Sequence, residues 1–113
     1  MGAKYEVYRT EKGDWAFQLK SLGGAVILRS EGYRTFSGCV NGIESCREHS
    51  PFDRFYSRNE GASSFSFHVR ASNNRVIAYG SEHSSAGDRE AVISKVKRYA
   101  PGALIVKCTA GDR

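Results

Sequence analysis

Trp15-Ala16-Phe17-Gln18-Leu19-Lys20 and, fifty positions later, Phe65-Ser66-Phe67-His68-Val69-Arg70 decide the reading of this chain. Each stretch alternates apolar and polar side chains, the pattern of a strand with one face buried and one face in water. Displaced by the same fifty positions, Val26 and Ile27 fall on Val76 and Ile77, Ile43 and Cys46 on Ile93 and Val96, and Pro51 on Pro101. Ser30-Glu31 matches Ser81-Glu82 after one inserted residue. Two copies are too few to cap and stack a solenoid, so the repeat predicts one closed, pseudo-two-fold domain.

Each copy reads as three strands and a helix. The first has a short alternating segment around Tyr5, Val7 and Arg9, then Trp15–Lys20, a Gly23-Gly24 turn, and the apolar run 25–29. The second repeats this with 54–58, 64–70, the turn Asn73-Asn74, and 75–79. Cys39, Ile43 and Cys46 form the apolar stripe of the first helix. Val92, Ile93, Val96 and Ala100 form that of the second. Ser85 and Asp88 have capping-box spacing, and Pro101-Gly102 stops the helix. Leu104, Ile105 and Val106 make a last strand, in the place that Phe55 holds after the first helix. The fold class expected is α+β: tandem β3αβ units in one mainly antiparallel sheet with both helices on one face. The expected organisation is a single domain over 1–113, with repeat 1 at about 4–51, repeat 2 at about 54–101 and a closing strand at about 103–108.

Length and charge agree with this. The 113 residues suffice for one modest core, with 40% hydrophobic and 26% charged side chains. Net charge is +5, and it is uneven: residues 1–51 carry 7 basic and 6 acidic side chains, residues 52–113 carry 10 and 6. A positive field favours anionic partners, though it is first a statement about solubility. No apolar run is long enough to span a bilayer. Met1-Gly2-Ala3-Lys4-Tyr5-Glu6 has no signal core, and Glu6 stands where a myristoylation signal has Ser or Thr. These features predict a soluble cytoplasmic protein with no membrane partner. Three cysteines, Cys39, Cys46 and Cys108, form an odd count that suits reduced thiols. No zinc spacing occurs, so no metal site or cofactor is expected.

The runs Trp15–Lys20, Val26-Ile27-Leu28, Ser30-Glu31-Gly32-Tyr33 and Asn41-Gly42-Ile43-Glu44-Ser45-Cys46 resemble the YegP-like family of small, mostly bacterial proteins, in its tandem form. The second copy departs from the pattern at 83–84 and 87–93. The resemblance implies β3αβ units that exchange their last strands, so that a two-copy chain does as a monomer what single-copy members do as dimers. It transfers no activity and no site residue.

The remaining signals point to binding more than to catalysis. His49, His68 and His83 lie in three different elements without a companion nucleophile or carboxylate, and read as surface histidines. Cys46, matched by Val96, reads as a buried hydrophobe. Cys39, early in the helix, lies where the helix dipole could lower a thiol pKa. Gly42 inside a helix reads as a close approach of helix and sheet. Trp15, Phe17, Phe65 and Phe67 are in the buried phase of their strands. Ala16, Gln18 and Lys20, with Ser66, His68 and Arg70, are in the outward phase. Gln18, Lys20, Ser66, His68 and Arg70 are therefore the candidate binding residues, on a positive sheet face suited to an anionic ligand or nucleic acid. No catalytic residue is assigned. The competing readings are a single-stranded nucleic-acid binder, an enzyme using Cys39, His68 or His83, and an assembly protein offering a free sheet edge.

Overall fold

The computed structural model describes residues 2–108; Met1 and 109–113, inside the expected 1–113 domain, lie outside the described residues. Seven strands, β1 (Lys4–Arg9), β2 (Trp15–Lys20), β3 (Val26–Arg29), β4 (Tyr56–Glu60), β5 (Phe65–Arg70), β6 (Val76–Tyr79) and β7 (Leu104–Lys107), form one sheet in the order β4-β5-β6-β3-β2-β1-β7. Helices α1 (Phe36–His49) and α2 (Ala86–Tyr99) follow β3 and β6. All pairings are antiparallel except β1 with β7, which run parallel.

The hairpin turns recur with the same chemistry. Gly24 and Asn74 take positive φ, +90° and 72°, at equivalent points of the β2–β3 and β5–β6 turns. Only glycine and, at small cost, asparagine accept that region readily. Beyond each turn one extra residue, Ile27 or Ile77, bulges from its strand where the register shifts after Leu19 and Val69. Two successive side chains of β3 and of β6 are consequently buried.

One core joins both copies. Tyr5, Val7, Phe17, Leu19 and Leu28 meet Phe67, Val69 and Ala78 beneath Cys39, Ile43, Cys46, Ile93 and Val96. Helix α1 packs on β2 and also on β5 and β6, while α2 packs on β5 and β3. Thr35 and Ser85 cap the helices, each accepting the N–H three residues on. Each helix C-cap carbonyl is then taken by a buried tyrosine: Tyr56 on β4 donates to Ser50 O at 2.7 Å, and Tyr5 on β1 donates to Ala100 O at 2.7 Å. The tie of α2 to β1, with β7 lying beside β1, is the strand exchange between copies.

Several expectations are corrected. Residues 53–55 form a 3-10 turn after the Pro51 stop, and the strand begins at Tyr56, not at 54. The segment after α1 must serve as the first strand of the second copy, so Phe55 is no counterpart of β7. The equivalence holds at fifty through residues 30–33, because Ser30 and Gly80 donate to Phe17 and Phe67, and Tyr33 and His83 bridge to Trp15 and Phe65. The extra residue lies in the first hairpin loop: Tyr5 faces Leu19 as Tyr56 faces Val69. Trp15 only borders the core, edge-on to Phe36, and Phe65 is half-buried beneath the Arg89 guanidinium. Both sit at strand starts, under the first turns of the helices, where Phe36 and Arg89 meet them.

Candidate functional site

Alternation leaves the second sheet face without a helix. Across it the register aligns one residue from every strand: Val106, Glu6, Gln18, Arg29, Tyr79, His68 and Ser57. The pseudo-two-fold axis passes between Arg29 and Tyr79, the only paired positions of β3 and β6. The five expected binding residues all lie on this face, but their partners divide them. Gln18 Nε2 donates to Glu6 Oε1 at 2.9 Å, and Lys20 Nζ is 3.3 Å from the same carboxylate. Lys4 approaches it at 3.6 Å. The hydrogen bond from Gln18, then the lysines, hold the Glu6 carboxyl below its usual pKa. Lys20 is thus largely neutralised.

Arg70 is not. Its guanidinium donates to Ser57 Oγ, Asn74 Oδ1 and Arg54 O at 3.1–3.3 Å, neutral acceptors that leave its charge intact. Arg29, exposed at the centre of the row, has no hydrogen-bond or ion-pair partner among the described residues. Tyr79 is 39% exposed, and its ring centroid lies 6.0 Å from that of His68. Its hydroxyl donates to Glu31 Oε2 at 2.8 Å, which raises its pKa. Ser66 lies opposite Asn59 on the β4–β5 pair. Ala16 departs from its expected outward exposure: it is buried, opposite Tyr8 on β1.

Arg29 and Tyr79 were missed in the sequence because they end short apolar strands, 26–29 and 76–79. Their place on one face follows only once β3 meets β6. Alternation after Leu28 and Ala78 gives each residue an outward phase, but not the meeting of the two.

Where β3 and β6 diverge from that single pair, a cleft of about 370 Å³ opens between the copies, lined by Glu31, Tyr33, Ser45, Asn73, Arg75 and Ile77 among others. Neither a thiol nor a histidine lines it. Cys39 and Cys46 are buried in the core, and burial pushes both thiols up to about 11. For Cys39 this overrides the lowering expected from the helix dipole. His49 is not a free surface group: its Nδ1 reaches Ser45 O at 2.8 Å and its Nε2 accepts the Ser72 N–H at 3.1 Å. Among the described residues no helix is long and apolar enough to cross a membrane, and no cluster of three metal-ligating side chains occurs.

Two like units, a shared core, a closing strand of the second unit laid beside the first and one bare polar sheet face define a tandem two-unit α+β protein. The profile of a domain of unknown function, DUF1508, matches twice, at residues 11–56 and 62–106. The chain is 38% identical to the UPF0339 protein in the ptx operon 5′ region of Stutzerimonas stutzeri, covering 95% of this chain and 97% of that one. The solution NMR structure of YegP from E. coli superposes with a TM-score of 0.90 at 27% identity, covering 97% of this chain and 96% of that one. A UPF0339 protein of Methanosarcina acetivorans is 41% identical over 49 residues, which is 84% of its own length and 43% of this chain. The chain belongs to the DUF1508 family, the UPF0339 proteins that include YegP.

Proposed function

We propose that the chain is a non-enzymatic binding module whose working surface is the open sheet face and whose partner is anionic. One observation carries this reading: among the described residues Arg29, at the centre of the face, has no counter-charge, and Arg70 beside it is held only by neutral acceptors. Among the strand residues of that face Lys4, Lys20, Arg29 and Arg70 stand against Glu6 alone. Uncompensated cations on a broad surface raise the local concentration of polyanions and speed their encounter. The same reading takes the chain as a single-domain cytoplasmic monomer. Supporting this, α2 and β7 close on β1 within one chain, and the free thiols Cys39, Cys46 and Cys108 suit a reducing compartment.

The test is retention on a polyanion matrix such as heparin. The double variant Arg29→Glu, Arg70→Glu should elute at markedly lower salt than the wild type while melting within a few degrees of it. Unchanged elution would remove the face from consideration.

A further inference from the structure

The centre of the open face carries more than charge. Tyr79 and His68 stand side by side on neighbouring strands, their rings 6.0 Å apart and tilted by 49°, with Arg29 next in the row. The hydroxyl tether to Glu31 restrains the ring of this exposed tyrosine. Arg70 projects from the same strand and face as His68, two positions on, and Lys20 flanks Gln18 in the same way. A helix-free sheet face with aromatic rings at its middle and cations around them is the surface that unstacked bases and a phosphate backbone fit together. A protein partner with an acidic surface would use the cations but give the rings nothing specific. A duplex would present phosphates and leave its bases stacked inside.

We infer that the anionic partner is single-stranded nucleic acid, its bases stacking on Tyr79 and His68 and its phosphates lying along Arg29 and Arg70. This rests on the open-face reading above. The two planar groups set a footprint of two adjacent bases at the centre. Stacking on rings is tolerant of sequence, so base preference should be weak. Phosphate contacts should make affinity fall steeply with salt.

The experiment measures affinity of the full chain, at low salt, for a short fluorescent oligothymidylate and oligouridylate, with inorganic polyphosphate as the base-free competitor. The expected result is that Tyr79→Ala with His68→Ala weakens oligonucleotide binding by about tenfold or more, while polyphosphate competes as it does with the wild type. Tyr79→Phe, which keeps the ring and loses the hydroxyl, should bind the oligonucleotides nearly as well as wild type. Circular dichroism melts of each variant verify folding. Equal loss of both probes, no loss of either, or equal damage from Tyr79→Phe and from the Tyr79→Ala, His68→Ala double variant would overturn the nucleic-acid inference. So would a wild type that binds polyphosphate and ignores both oligonucleotides, a result that leaves the cationic, anion-binding face standing. Arg29→Glu separates the two levels: if it changes neither probe, the face itself fails.

Discussion

Gly42 shows how one missing methyl sets the position of a ring. A Cβ there would collide with the Tyr33 hydroxyl oxygen and come within 2.6 Å of Cζ. The Tyr33 ring lies stacked near Phe17, centroids 6.5 Å apart, and lines the cleft between copies. In the second copy the same two positions are His83 and Val92, a smaller ring against a larger helix residue. Alanine in a helix interior is ordinarily worth about 1 kcal/mol over glycine, but overpacking costs about 1–3 kcal/mol. Gly42→Ala should therefore destabilise, by about 1 kcal/mol, in urea denaturation, and Tyr33→His combined with Gly42→Val should recover most of the loss. A more stable single variant would refute this packing account. The close approach was legible in the sequence from a glycine inside an apolar helical stripe; its partner Tyr33 was not, since nothing local says which ring crosses beneath the helix. The buried tyrosines were equally hidden. Tyr56→Phe would strand the Ser50 carbonyl in the core, at a cost of about 1–3 kcal/mol, again read from a urea midpoint.

Among the described residues, α2 and β4 are tied by ion pairs, whereas α1 meets β1 through a cation–π contact, Arg47 over the Tyr5 ring. Asp53 accepts from Lys97 at 2.6 Å and Arg58 at 2.8 Å; Arg58 also binds Glu90, and Glu90 binds Arg89 at 3.0 Å. Arg89, only 4% exposed, takes the place of the buried Cys39 of the first copy. The hydrogen bonds from Arg58 and then Lys97 hold the Asp53 carboxyl at about 2, against roughly 3.9 in an unfolded chain. A depressed carboxyl stabilises fully above its unfolded value, and that contribution is lost as pH falls toward the folded one. Asp53 is largely exposed, so screening keeps the effect modest. Wild-type stability should fall between about pH 4 and pH 2, and Asp53→Asn should fall less steeply over that interval. Parallel slopes in urea midpoints against pH would contradict the role assigned to Asp53. Strands and helices were legible in outline from periodicity and caps. The 3-10 turn at 53–55 was not, because Tyr56 and the residues before it all fit a strand pattern, and only the need to descend from the helix layer to the sheet bends the chain there.

At the scale of the molecule, duplication explains both what the sequence made visible and what it withheld. One offset revealed the common core and the outward phase of β2 and β5. The meeting of β3 with β6 at a single pair, Arg29 with Tyr79, involves neither repeat alone and left no local trace. That meeting places a bare cation beside two rings, and it is where the functional account stands or falls. The most direct measurement is an amide NMR titration of the wild-type chain with a short oligothymidylate. Shifts should cluster on Gln18, Arg29, His68, Tyr79 and their strand neighbours and leave α1 and α2 unmoved. Shifts gathered instead on the helices, or around Tyr33, Ser45 and Arg75 in the cleft, would contradict it.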